Sequence, residues 1–180
     1  MTWQDQASLV ADIVRASGGS LTGRTKLQKT VYIIQAAGWG SAFTFRYFHY
    51  GPYSETLAEA AENACLLNLI KEEKYSTSNG NPYSVYETVN ETALDTERSS
   101  VSEEPIRSLI QTASKANAIE LELAATALYL AKEEQCKTPW RETERRKPQK
   151  SSNGLLDRAK ALYVDLRRCA PEALPELKEA

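Results

Sequence analysis

The residue types able to do chemistry are sparse in this chain. His49 is the single histidine. It sits beside Tyr47, Tyr50, Tyr53 and Ser54. Such a cluster offers a base and hydroxyls, and a Ser/His/Asp triad would have to use His49. A base also needs a nucleophile and an oxyanion site. No G-x-S-x-G elbow, Walker loop, G-x-G-x-x-G turn or H-E-x-x-H helix accompanies it. The expectation is therefore a strand-end imidazole hydrogen-bonded to backbone or to a tyrosine.

Cys65, Cys136 and Cys169 are isolated, and no C-x-x-C pair exists. One histidine cannot complete a Cys/His zinc site with them. They read as free thiols of a reducing cytosol. The carboxylate pairs Glu72-Glu73, Glu103-Glu104 and Glu133-Glu134 lie beside lysines or at helix starts. Solvated surface explains them. No catalytic residue, metal or cofactor is expected.

The elements that must position these residues follow from periodicity. Leu9, Val10, Ile13 and Val14 fall on one helical face within 3–16, and Gly18-Gly19 stops that helix. A second helix is expected over 24–37, with Thr25 and Gln28 at capping-box spacing and Leu27, Val31 and Ile34 inward. Residues 43–50 alternate aromatic and polar side chains and predict a strand, broken by Gly51-Pro52. A third helix over 53–69 has Ser54 as its cap and Leu57, Ala61, Ala64 and Leu67 inside. Residues 71–89 predict a hairpin turning at Asn79-Gly80, with Pro82 suited to an edge strand.

Beyond a polar joint at 96–105, Ser102 is expected to cap a helix carrying Glu103 and Glu104 in its first turn. Helical patterns follow at 117–135 and 155–166, joined by a basic bridge over 137–153. Trp140 is expected to anchor the core. The fold class is α+β, mostly α. A winged-helix-like part over 1–98 carries a β-hairpin wing. A helical extension over 102–170 packs on it, and 171–180 is a frayed tail.

The chain has 180 residues, 42% of them hydrophobic and 26% charged. That length suits one domain, or one with an extension, and supports a core without disulfides or metals. The composition excludes collagen-like, coiled-coil and disordered chains. No run approaches a membrane span. Residues 1–12 offer no basic and apolar leader, so a cytoplasmic protein is expected. Net charge is −2 but uneven. Residues 50–136 hold 6 positive and 15 negative charges, whereas 137–170 hold 10 and 4. The basic stretch either forms a surface or packs on the acidic middle of the same chain.

Two stretches carry a resemblance. Residues 23–35 read G-R-T-K-L-Q-K-T-V-Y-I-I-Q, and residues 45–57 read F-R-Y-F-H-Y-G-P-Y-S-E-T-L. At this spacing they resemble the bacterial YwgA-like family. More distantly they are similar to the Panacea, or SocA-like, antitoxin domain, from which the chain departs downstream of Gly51-Pro52. The resemblance spans about residues 8 to 95. It implies a winged-helix-type regulatory protein with no established chemistry, or a neutralising module that binds a toxin or delivers it to a protease. It supplies no catalytic residue.

The residues themselves point to a structural corner. Lys26, Gln28, Tyr32, His49, Tyr50, Gly51, Pro52, Tyr53 and Ser54 are its expected members. Glu55, Glu59 and Glu62 place three carboxylates on the helix that would read DNA in a winged helix. Phosphates disfavour that sign. The leading expectation is thus a non-enzymatic regulator or adaptor binding a protein through this face, in a toxin–antitoxin or defence setting. A homodimer is compatible with it. The alternative is a transcriptional regulator binding DNA through Arg141, Arg145, Arg146, Lys147 and Lys150. An enzyme centred on His49 ranks last.

Overall fold

A computed structural model describes residues 1–89, 101 and 103–178. Thr2 opens α1 (Trp3–Ala16) with a capping box: its hydroxyl accepts from Asp5 N, and the Asp5 carboxylate accepts from Thr2 N. The order is then β1 (Ser20–Thr22), α2 (Arg24–Ala36), β2 (Arg46–Phe48), β3 (Gly51–Tyr53), α3 (Glu55–Leu66), β4 (Ile70–Ser76) and β5 (Pro82–Thr88). Four helices follow: α4 (Glu104–Lys115), α5 (Ala118–Lys132), α6 (Pro139–Arg146) and α7 (Leu155–Cys169). The described residues are α+β, with seven helices and a small antiparallel sheet. None of these helices is long and apolar enough to cross a membrane.

Three strands form that sheet in the order β1-β5-β4. Sequence periodicity does not reveal β1. Its three residues carry one buried side chain, Leu21, and it becomes a strand by pairing Leu21 with Tyr86. This pairing also corrects the place of Pro82. Pro82 opens the central strand, not an edge one, and faces Ser76. β1 reaches only Val85–Glu87, so the missing N–H lies beyond its ladder. The β4–β5 hairpin turns at 77–81 with Gly80 at positive φ, and stacks exposed Tyr75 on Tyr83 near its tip.

The aromatic stretch 43–50 is less regular than its alternation predicts. Only Arg46–Phe48 form β2, and Phe43 instead buries its ring in the core. Gly51-Pro52 does not end a strand here. It begins β3, which folds back on β2 with Phe48 opposite Gly51 and Arg46 opposite Tyr53.

The C-terminal helices close over the other elements. α4 packs on α2 and α1, and α5 packs on α2, β3, α6 and α7. One cluster of buried apolar side chains runs from Ala7 to Leu177. It includes Trp140, whose ring meets Tyr163 edge-on. Each fully buried Leu or Ile, such as Ile13, Leu109 and Leu128, contributes roughly 1.5–3 kcal/mol. The expected boundary near residue 100 and the expected Ser102 cap lie outside the described residues. Glu103 is the N-cap of α4, so only Glu104 stands in its first turn.

Residues 171–178 are not frayed. Leu174 and Leu177 are buried, the Tyr163 hydroxyl donates to Pro175 O, and Arg167 donates to Leu174 O. The two leucines supply the apolar area that holds this segment down.

Candidate functional site

The expected corner forms around a two-residue turn, His49-Tyr50, between β2 and β3. Two consecutive side chains of α2 hold the chain that leaves it. Gln28 is buried and grips Ser54 twice: Nε2 donates to Ser54 O and Oε1 accepts from Ser54 N, both at 2.8 Å. Lys29, 1% exposed, donates from Nζ to Pro52 O at 2.7 Å. Ser54 in turn caps α3, its hydroxyl accepting from Leu57 N. Gly51 sits at φ 81, and a Cβ there would overlap the Thr126 hydroxyl of α5.

Gln28 therefore does not close a capping box with Thr25. α2 starts at Arg24, behind Gly23, which has no side chain to cap with, so Thr25 already lies inside the helix. Lys26 reaches across to Ser114 O. Tyr32 packs on Phe45 and Tyr129, and Tyr129 continues to Tyr47. Burial pushes the Tyr32 hydroxyl pKa up.

Beneath the turn lies an ionic cluster centred on Glu122 of α5, a residue that sequence reasoning did not single out. Glu122 is 3% exposed. Its carboxylate accepts from Lys147 Nζ at 2.7 Å and from Lys150 Nζ at 2.7 and 2.8 Å. Lys147 also donates to His49 O at 3.1 Å, and Lys150 lies 4.4 Å from the centre of the Tyr50 ring. Its only sequence signal is a charge at a helical position whose neighbours, Leu121 and Leu123, are apolar. Burial pushes the Lys29 amine down to about 7, an effect that Glu122 opposes and that Lys147 and Lys150 reinforce.

Part of the basic stretch thus packs on the acidic middle of its own chain: Arg146, Lys147, Lys150 and Arg158 pair with Glu134, Glu122 and Glu120. Arg146 pairs with Glu134 and Glu142 and covers the Tyr47 ring. Arg145 pairs with Glu142 while remaining mostly exposed, and Arg158 pairs with Glu120. Arg141 is exposed. Lys147 is buried. These residues do not form one outward-facing cationic strip.

The face next to the turn is different. Phe48 and Tyr50 are each 56% exposed, and the exposed His49 has its ring 4.5 Å from that of Phe48. Phe48 also meets Tyr53 at 5.8 Å. Along α3, Glu55, Glu59 and Glu62 are all exposed and form no ion pair among the described residues. Leu66, 82% exposed, extends the same stripe by one turn. Leu67, expected inside, is also exposed, because the helix ends at Leu66 and its inner face is Leu57, Ala60, Ala61 and Ala64.

Between α2, α3 and the turn is a cavity of about 130 Å³. Gln28, Tyr50, Tyr53, Ala58, Ala61, Glu62 and Tyr86 are among its walls. Among the described residues no group of three or more His, Cys, Asp or Glu side chains is placed to hold a metal ion. The arrangement offers recognition: a fixed, mostly apolar recess with Arg24 and Lys29 also in its lining, exposed rings and an acidic edge.

Compared with protein-family models, curated proteins and solved structures, the chain matches none.

Proposed function

We propose that this chain is a non-enzymatic, winged-helix-like regulatory or adaptor module that binds a protein partner. Its order of helix, strand, helix, helix and hairpin, with the short β2–β3 pair inserted between the second and third helices, supports the winged-helix comparison, with α3 where a recognition helix would lie and β4–β5 as the wing. The two motifs that resemble the YwgA-like family, and more distantly the Panacea domain, make up the clamped corner. A toxin–antitoxin or defence role is the setting this resemblance suggests. Three free thiols suit action in a reducing cytoplasm.

The observation that carries the proposal is the outer face of α3. It presents Glu55, Glu59, Glu62 and Leu66 where a DNA reader would present Arg, Lys, Asn or Gln. Phosphates are repelled there. A protein surface with basic and apolar groups is matched. The DNA alternative retains exposed Arg141 and Arg145, but Arg146, Lys147 and Lys150 are engaged within the chain.

Two measurements test this together. The purified protein is titrated with a labelled random duplex at low salt, then at rising salt. No duplex binding is expected. Affinity capture from the native host is then run with wild type and with the triple variant Glu55→Lys, Glu59→Lys, Glu62→Lys. Loss of a captured protein in the variant supports the proposal. Tight duplex binding with a steep negative salt slope, and no protein lost on charge reversal, would refute it.

A further inference from the structure

Building on protein binding through α3, we propose that the cavity between α2, α3 and the β2–β3 turn receives one phenylalanine-sized side chain from a partner segment whose flanking residues are Lys or Arg.

Size is the first reason. The cavity measures about 130 Å³. An engineered apolar cavity of roughly 150 Å³ in another protein takes up benzene. The space here fits a single ring or branched aliphatic group.

Wall chemistry is the second. Leu27, Ala58 and Ala61 supply apolar surface, and Tyr50, Tyr53 and Tyr86 surround it with rings. Rings gain edge-to-face contacts with an inserted aromatic group. Tyr50 is the exposed gatepost, and its ring is held by Lys150 beside it.

Charge specifies the flanks. Glu62 belongs to both the cavity wall and the acidic stripe. Glu55 and Glu62 are seven residues apart, which spans about 10 Å of helix. That edge can meet two or three cations of a passing segment. Arg24, also in the wall, is paired with Glu72 through contacts of 2.7 and 3.0 Å and also feels the charge of Glu62, so Glu55 and Glu59 are the stripe's carboxylates farther from it.

Rigidity is the fourth. Gln28 fixes Ser54, Lys29 fixes Pro52, and Lys147 fixes His49 through their backbone groups. A recess held this way loses little conformational freedom on binding.

The test uses an array of nine-residue synthetic peptides with the central residue and the four nearest flanks varied independently. Fluorescence anisotropy then follows the best binder and two derivatives, one with Ser at the centre and one with Glu at the flanks. Enrichment of aromatic centres with Lys or Arg flanks is expected, with at least a tenfold loss in either derivative. The same loss is expected for Ala58→Leu, which fills the recess, and for Glu62→Lys. Thermal melting checks that both variants are folded. A flat array, preference for acidic flanks, or unchanged binding by folded variants overturns the docking mode. So does uptake of toluene, seen as amide shifts at residues 58–62, with no peptide preference, since that marks a small-molecule recess. Protein binding itself survives any of these outcomes if charge reversal at Glu55, Glu59 and Glu62 still releases the captured host partner.

Discussion

Lys29→Met separates the charge of a buried amine from the space it fills. Lys29 is 1% exposed and donates to Pro52 O. Its pKa falls from the ordinary 10.5 to about 7 because burial penalises the charged form. Between those values the unfolded chain binds a proton that the folded chain lacks. Stability therefore rises with pH across this window, by about 1.4 kcal/mol per unit for one proton. Below about pH 7 both states are protonated and the full burial penalty is present. Above 10.5 both are neutral and it vanishes. From pH 7 to pH 9 the wild type should gain about 2–3 kcal/mol from this group. Methionine has no such proton. It leaves the Pro52 carbonyl unpaired at every pH, a constant cost of about 1–3 kcal/mol. Urea unfolding of both proteins at pH 6, 7, 8 and 9, under reducing conditions, isolates the difference because all other titrations are shared. The wild-type advantage over the variant should widen by about 2–3 kcal/mol between pH 7 and pH 9. A constant difference would mean that Glu122 keeps the amine charged throughout, and the burial argument would be refuted. A difference that narrows with pH would reverse its sign.

Other substitutions probe the same corner. Glu122→Gln removes the carboxylate charge from buried Lys147 and half-buried Lys150, and chemical denaturation should show a loss of about 3–5 kcal/mol. Gln28→Ala strands the N–H and C=O of Ser54 and should cost about 2–4 kcal/mol in the same assay. Gly51→Ala places a methyl group against Thr126 at positive φ. A loss of about 2–4 kcal/mol is expected, partly recovered by adding Thr126→Ala. Leu66→Ser alters an exposed side chain, so its melting curve should overlay the wild type within about 0.5 kcal/mol while capture of the host partner falls.

Local chemistry made much of the scaffold legible. Ser54 caps α3 as expected, because a short polar side chain answers a free helical N–H group. The Asn79-Gly80 pair marks the hairpin because Gly80 tolerates a positive φ. The inward stripes of α1 and α2 follow helical spacing. Acidic Glu55, Glu59 and Glu62 could be placed together from spacing alone, since i, i+4 and i+7 share a helix face. The errors came where a residue's partner is far along the chain. β1 is a strand only because β5 lies beside it. The 171–178 segment is ordered by Leu174 and Leu177, whose pattern is too short to announce a packed element.

Most of the helical segments, the hairpin turn and the acidic side of α3 are written in local sequence, because they depend on residues within a few positions of each other. What the polar side chains of the corner do depends on long-range packing. Gln28 serves Ser54, 26 residues away, and Lys147 serves His49, 98 residues away. Glu122 became an ionic centre because α5 carries it under the turn, where burial leaves a charge little alternative to pairing. The same packing drew Arg146, Lys147 and Lys150 onto Glu134 and Glu122 and left the acidic face of α3 exposed.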